Sequence, residues 1–491
     1  MKLKVDISVK RGPRIKVDSL KIENNKVNFL FGESGVGKTL ISKALFGLLT
    51  GDEYDVRIDD EPYEKYLTLP GVKDILAKGF YVFQEPSAHL SPVRKIKEQL
   101  SEGSLSDCGE RKDILSVLFP DLTDEELNSL LKIYPKPFRP SGGEKQRFLN
   151  SMGLIKISKL VRGTSWNALF VFDEPTSHLD VKKRDVLLKL LLFYYVKNRP
   201  TILIITHDYS ILSMLENSFS ALRENFAYHE LFLENEKIKQ RAFSEEEYFS
   251  WLGKEKRKRK PAAGSETILK VKTGIKVFNN TLGFYSDKKL MNVTDLVLRK
   301  GEIVYLKAPS GTGKTTVGKI LLGLIKADFE YEIGGLKVNG KMPMRFFLNE
   351  IWGKRLTMAF QHADECLNPN ASVAASLEIL GTGKKEYSEL VEQLFPNADI
   401  STLLTKKIKF LSGGEKQKIN LLRAFLADAD VTMLDEPING MDLAGVDTVI
   451  RMIRNNLKKG KTYLLVSHSE DVFSTIVRRE NIVYLKREND R

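Results

Sequence analysis

A chain of 491 residues, 42% hydrophobic and 29% charged, has apolar material for two or three packed cores, which excludes collagen-like and disordered classes. Its two cysteines, Cys108 and Cys366, exclude a disulfide scaffold or a four-thiolate metal site and fit a reducing compartment. The net charge of +13, from 77 basic against 64 acidic residues, points to anionic partners: phosphorylated ligands, nucleic acid or a membrane surface.

The N-terminal stretch MKLKVDISVKRGPR is basic with no apolar run behind it, so no signal peptide is expected. The run from Val27 to Phe31 reads as a short buried strand. A turn containing Gly32, Ser34, Gly35 and Gly37 follows, and a helical pattern starts at Lys38. Strand, glycine turn and helix form the context of a phosphate-binding loop. Glycines let successive backbone N–H groups face one phosphate, and the helix N-terminus adds its positive end. Lys38 then reaches the terminal phosphates, and the Thr39 hydroxyl can ligate Mg²⁺.

Gln84 opens the segment QEPSAHLSP. Further on, Ser141-Gly142-Gly143-Glu144 has the spacing of a capping box. Two glycines in the first turn are poor helix formers. They make sense if bare backbone N–H groups must approach an anion. The stretch from Val161 to Asn167 reads as a loop insertion. The strand from Leu169 then ends in Asp173 and Glu174. Asp173 is placed to hold the water shell of Mg²⁺, and Glu174 to polarise an attacking water. The longest apolar run, Val186 to Val196, is interrupted by Lys189 and is shorter than the about 20 residues of a membrane span. A cytosolic protein is expected. His207 follows the strand TILIIT.

The charged stretch 231–266 contains the run KEKRKRK from Lys254 to Lys260 and then Pro-Ala-Ala-Gly-Ser. It reads as a solvated linker between domains 1–230 and 267–491. Lipid headgroups or RNA are alternative uses of its charge.

The second domain repeats the first. Lys314 follows Lys38 by 276 residues, Ser412 follows Ser141 by 271, and His468 follows His207 by 261. Five motifs recur in one order, the mark of two homologous halves. The second loop runs from Ala308 through Ser310, Gly311 and Gly313 to Lys314, Thr315 and Thr316. Ala308 replaces the first glycine, at a cost of roughly 1 kcal/mol if that position needs a positive φ. Gln361, the run Ser412-Gly413-Gly414, the acids Asp435 and Glu436, and His468 complete the copy.

Together these residues resemble the ATP-binding cassette (ABC) family, twice and over nearly the whole chain. The resemblance implies an α/β fold of two tandem P-loop NTPase domains, each with a mixed β core and a helical subdomain. It implies ATP as substrate and Mg²⁺ as cofactor. The two cassettes would pair head to tail, Lys38 sharing a nucleotide with Ser412 and Gly414, and Lys314 with Ser141 and Gly143. Gln84 and Gln361 would contact the metal or water, His207 and His468 the γ-phosphate, and the loops at Asp180 and Asp442 would cross the pair. Adenine would stack on Tyr285 (or Phe284) in the second half. The matching region of the first, Val9 to Arg11, has no aromatic, so Arg11 would stack there or the base would be held loosely. Two competent sites of unequal affinity are expected.

Three branches of the family differ in what surrounds the cassettes. Chromosome and repair ATPases insert long coiled coils or zinc hooks, and this sequence has neither. Translation factors acting on ribosomes also carry tandem cassettes, and DEPTSHLD resembles their DEPTNHLD. They have a long charged helical arm between cassettes and a shortened stretch after the glutamine, whereas 57 residues separate Gln84 from Ser141 here. That stretch, with QEPSAHLSP and QHADECLNP, resembles peptide/nickel-type importer ATPases. The expected partners are polytopic membrane permease subunits and, indirectly, a solute-binding protein, with no direct nucleic acid. The expected location is the inner face of the cell membrane. The cysteine-bearing C-terminal extension common in those ATPases has no counterpart in this sequence, so the solute class stays open.

Overall fold

Apolar strands flanked by amphipathic helices build two separate compact units, 1–245 and 246–491, in the computed structural model. The structure describes residues 2–9, 14–101, 108–135, 140–160, 168–177, 179–234, 237–309, 311–378, 384–396 and 398–488. The expected insertion at Val161 to Asn167, Arg11 and Ser310 fall outside them.

The first unit holds a ten-stranded sheet. Its central strands Val27–Gly32, Thr201–Ile205, Leu169–Asp173 and Phe80–Val82 run parallel and neighbour one another in that order. The first three are buried along their whole length. Burial on both faces is why they read as unbroken apolar runs rather than alternating ones. The strands Lys2–Val9, Arg14–Lys21 and Tyr54–Ile58 form an antiparallel extension. Helices Ile96–Ser101 and Cys108–Leu118 pack beside the long helix Gly142–Ser158, and Asp124–Leu131 packs on Ile96–Ser101. Phe119 and Phe148 join these layers, ring centroids 4.7 Å apart.

The second unit divides the same material between two sheets, of seven and four strands. The seven-stranded sheet carries the parallel set Ile303–Lys307, Thr462–Val466, Val431–Asp435 and Leu356–Ala359. Its helical layer sets Val373–Glu378 and Lys384–Leu394 against Gly413–Leu426, with Ile400–Thr405 packed on the first two. The expected mixed β core with a helical subdomain is thus present twice.

The stretch read as a linker is structured, which corrects that expectation. Strand Phe226–Glu234 runs into it, Lys237–Ala242 pairs back antiparallel, and Glu245–Arg257 is a helix. Tyr248 and Leu252 are buried, and Trp251 packs against the second unit's core. The Trp251 indole donates to Asp447 Oδ1 at 2.8 Å, and buried Glu255 pairs with Arg454 at 3.3 Å. The spacing 248, 251, 252, 255 is one face of a helix. The basic residues Lys254, Lys256 and Arg257 occupy its last turn, where they complement the negative end of the helix dipole. Trp251→Phe keeps the packing and removes the donor, so it is expected to cost about 1 kcal/mol. The measurement is the urea midpoint at constant slope; an unchanged midpoint would mean that the contact adds nothing.

Candidate functional site

The phosphate loop, glutamine, acid pair and histidine of each unit follow the carboxyl ends of its parallel strands, the end where open α/β sheets bind ligands. In the first unit Gly32, Gly35 and Gly37 take positive φ, as do Gly311 and Gly313 in the second. The turn folds back far enough for the lysine to meet its own loop. Lys38 Nζ donates to the carbonyls of Gly32 and Glu33 at 2.6 and 2.9 Å. Lys314 Nζ donates to Ala308 and Pro309 at 2.8 and 3.1 Å. Both ammonium groups are buried at a helix start, where they and the backbone N–H groups provide positive charge for a phosphate.

The first position of the loop differs between units for a reason that the sequence hides. Gly32 has φ +142°, and a Cβ there would lie 2.4 Å from the Leu231 carbonyl oxygen. Glycine is obligatory because strand Phe226–Glu234 runs alongside to pair Leu231 with Gly32. In the second unit the corresponding pairing stops at Lys307 opposite Tyr484. Among the described residues Ala308 is not in the positive-φ set, and its methyl packs on the core. The penalty expected for Ala308 therefore does not arise.

The acids lie where the sequence places them. Asp173 ends its strand, and Tyr81 donates to its Oδ2 at 3.1 Å. Burial and the neighbouring Glu174 push its pKa up to about 6. Asp435 accepts from Thr315 Oγ1 at 2.5 Å, and burial raises its pKa as well. Thr39 stands beside Asp173 in the same relation. Among the described residues no group of three or more His, Cys, Asp or Glu side chains gathers into a metal cage. A hydroxyl–carboxylate pair next to a phosphate loop is instead the donor set that suits Mg²⁺ held partly by phosphates. Asp173 Oδ1 is buried with no hydrogen-bond partner, which fits a cation neighbour.

Glu174 and Glu436 take positive φ, +47° and +49°, while their N–H groups extend the ladder to the carbonyls of Ile205 and Val466. Their partners differ. Glu174 Oε1 meets His207 Nδ1 at 2.8 Å. Burial disfavours charge on His207, but the Glu174 carboxylate outweighs it and holds that pKa above the ordinary value. Glu436 Oε2 accepts from Ser467 Oγ at 3.0 Å and from the His468 backbone N–H at 3.2 Å. The His468 ring stands 3.7 Å from Oε1. Burial, then the Asp435 charge, pushes the Glu436 pKa up to about 8. The structure thus brings each histidine to the glutamate of its own unit.

Ser141 and Ser412 cap helices Gly142–Ser158 and Gly413–Leu426 in full capping boxes. The Ser141 N–H donates to Glu144 and the Ser412 N–H to Glu415, both at 2.7 Å. A Cβ on Gly142 or Gly413 would meet no atom within 4 Å. Packing within the unit does not demand these glycines, although each costs the helix about 1 kcal/mol relative to alanine. Gly143 and Gly414 follow in the same turn. Gln84 lies two residues past strand Phe80–Val82 and Gln361 two past Leu356–Ala359, each next to its acidic strand. Asp180 and Asp442 cap the helices that follow the acidic strands.

The base-side groups are where sequence reasoning missed most. Phe284 is fully buried, which removes it as a stacking surface; Tyr285 ends the strand Asn280–Tyr285 with a small exposed fraction. That strand runs antiparallel to Ile482–Arg487, Leu282 opposite Arg487 and Tyr285 opposite Tyr484. In the first unit Lys237–Ala242 takes this position, with Ile238 opposite Leu233 and Arg241 opposite Glu230. A Cβ on Gly37 would touch Ile238 Cδ1 at 3.4 Å, and one on Gly313 would touch Leu282 Cδ1 at 3.6 Å. Ile238 and Leu282 therefore correspond, and so do Arg241 and Tyr285. Arg241 is held by buried Glu230 at 2.6 Å. Arg487, also unforeseen, donates to the loop carbonyls of Thr312 and Gly311.

Comparison with known proteins agrees with this geometry. The ABC transporter family profile matches residues 15–177 and 291–439, most of both units. An uncharacterized ABC transporter ATP-binding protein, YejF of Escherichia coli K12, is 25% identical over 92% of this chain and 86% of its own length. The peptidoglycan transport ATP-binding protein YejF of Agrobacterium fabrum C58 is 25% identical over 92% of this chain and 84% of its own. A solved structure of RNase-L Inhibitor superposes with a TM-score of 0.63, covering 98% of this chain and 89% of that one, at 19% identity. At that identity the likeness speaks of fold. With two phosphate loops, two acid pairs and two capped glycine turns arranged alike in both halves, the chain belongs to the ABC transporter family.

Proposed function

We propose that this tandem-cassette ATPase powers a membrane transporter, as the peripheral subunit on the inner face of the cell membrane. Lys38 and Lys314, with their loops, would hold the ATP phosphates. Ser141, Gly142, Gly143, Ser412, Gly413 and Gly414 would offer backbone N–H groups to phosphate. Tyr285 would meet the base in the second cassette. Mg²⁺ would be held by Thr39 with Asp173, and by Thr315 with Asp435, near Gln84 and Gln361, where it would neutralise phosphate charge. Glu174 and Glu436 would polarise the attacking water, and His207 and His468 would orient them. Catalysis of this kind is positioning and charge stabilisation.

The observation that carries the transport reading is the full helical layer of each unit, placed between the glutamine and the capped glycine turn. Such a layer gives a permease a surface to grip. The segments after Gln84 and Gln361 favour a peptide/nickel-type importer, and one full-length relative bears a peptidoglycan transport name. Polytopic permease subunits would be the direct partners and a solute-binding protein an indirect one.

The test is fractionation of a lysate containing the Glu174→Gln, Glu436→Gln variant loaded with ATP. Recovery in the membrane fraction together with a polytopic protein is the expected result. Recovery with ribosomes would overturn the transport reading in favour of a translation factor.

A further inference from the structure

A buried charge network in the first cassette has no copy at the matching positions of the second. Arg184 lies four residues past Asp180, in the first turn of helix Val181–Asn198, with its side chain 8% exposed. Its Nη1 donates to Asp208 Oδ2 at 2.8 Å and to Ser210 Oγ at 2.5 Å, and its Nε and Nη2 donate to Asp185 Oδ1 at 2.9 and 2.8 Å. Asp208 Oδ1 accepts from the Ser210 N–H at 3.0 Å, and the Asp208 N–H donates to Thr206 Oγ1 at 3.0 Å. Asp208 directly follows His207, whose ring holds Glu174. One guanidinium therefore fastens the helix behind Asp180 to the loop that carries the histidine.

The internal repeat supplies the comparison. Counting from Asp180 and Asp442, Arg184 corresponds to Val446; counting from His207 and His468, Asp208 corresponds to Ser469. Both partners change together: the buried arginine becomes a buried valine, and the aspartate becomes a serine. The arrangement around the glutamate changes with them, from a direct histidine contact at 2.8 Å to a ring 3.7 Å away. A buried ion pair is a weak source of stability beside apolar packing of similar size. Its five-donor planar fork, in contrast, fixes direction well.

We infer that Arg184 is a positioning residue of the first site: it presets the His207–Glu174 pair for hydrolysis, while Val446 and Ser469, at the matching positions of the second site, cannot form this arginine–aspartate clamp. This rests on the reading of Glu174 as the water-polarising group. It makes the first cassette the faster one.

The test uses the full chain carrying Glu436→Gln, so that turnover reports the first site. Arg184→Met is expected to lower kcat about tenfold, the scale of a mispositioned catalytic group, with KM for ATP within about twofold. Arg184→Lys restores the charge without the fork and is expected to recover part of the loss. Asp208→Asn is expected to match Arg184→Met, and the double variant to be no worse than either, because the two act as a unit. A kcat for Arg184→Met within twofold of the parent would overturn the inference. So would losses that multiply in the double variant, or a KM that rises in step with the loss and no recovery in Arg184→Lys, the pattern of general damage. If adding Glu174→Gln leaves the parent's turnover unchanged, the base assignment itself falls and the inference falls with it.

Discussion

Glutamine at position 174 is expected to lower steady-state ATP turnover by about a hundredfold or more, the scale of a lost general base. The backbone at Glu174 is held at φ +47° one residue beyond the strand, and its carboxylate is turned onto the His207 ring at 2.8 Å. An amide keeps the size and one hydrogen bond but cannot take a proton from water. Glu436→Gln is expected to cost less than about twofold, because the second site is the slower one: burial raises the Glu436 pKa to about 8, which disfavours its action as a base, and the side chain is tied to Ser467 and the His468 backbone. Phosphate release by each single variant and by the double variant checks both statements. Near-wild-type turnover in the double variant would remove both glutamates from the base role. A larger loss for Glu436→Gln than for Glu174→Gln would reverse the proposed ranking of the sites.

The places of the loop lysines, strand-end acids and capped glycine turns were legible because the chemistry proposed for them fixes residue spacing. A lysine meant to reach phosphates on the loop's own N–H groups sits at one offset from the strand, and an acid meant to share a cation with Thr39 ends a strand one place further along the sheet, beyond Thr201–Ile205. Local periodicity therefore sufficed for Lys38, Asp173, Ser141 and their repeats. What escaped depends on contacts distant in sequence. Nothing near Lys237 announces that it enters the sheet between Phe226–Glu234 and Arg14–Lys21, bringing Arg241 to the place that Tyr285 holds in the other cassette. The helix Glu245–Arg257 escaped for a different reason. Its basic run dominated the reading, although Tyr248, Trp251 and Leu252 already had the spacing of a buried helical face. The Arg184–Asp208 clamp joins residues 24 apart that look in sequence like ordinary solvated charges.

The first loop position makes the sharpest contrast between the repeats, and it predicts opposite outcomes for opposite exchanges. Gly32→Ala adds a Cβ 2.4 Å from the Leu231 carbonyl oxygen, where a hard contact with backbone cannot be relieved by a rotamer change. It also forces alanine to φ +142°, a region that L side chains rarely adopt. Strand Phe226–Glu234 must then move away from Val27–Gly32, and the carbonyl that Lys38 Nζ meets at 2.6 Å moves with it. The expected destabilisation is about 3 kcal/mol, in the range of strain at a special backbone conformation combined with overpacking. Ala308→Gly loses one methyl from the edge of the core and gains freedom in the unfolded chain, so about 1 kcal/mol or less is expected. Urea unfolding with a probe in each unit, such as Tyr-to-Trp reporters placed in the helical layers, would read the two changes separately. Equal effects of the two exchanges would contradict the distinction, since they would show that both loops tolerate a Cβ at this position alike. A large loss for Gly32→Ala beside a small one for Ala308→Gly would locate the constraint in the passing strand, not in the phosphate loop that the two cassettes share.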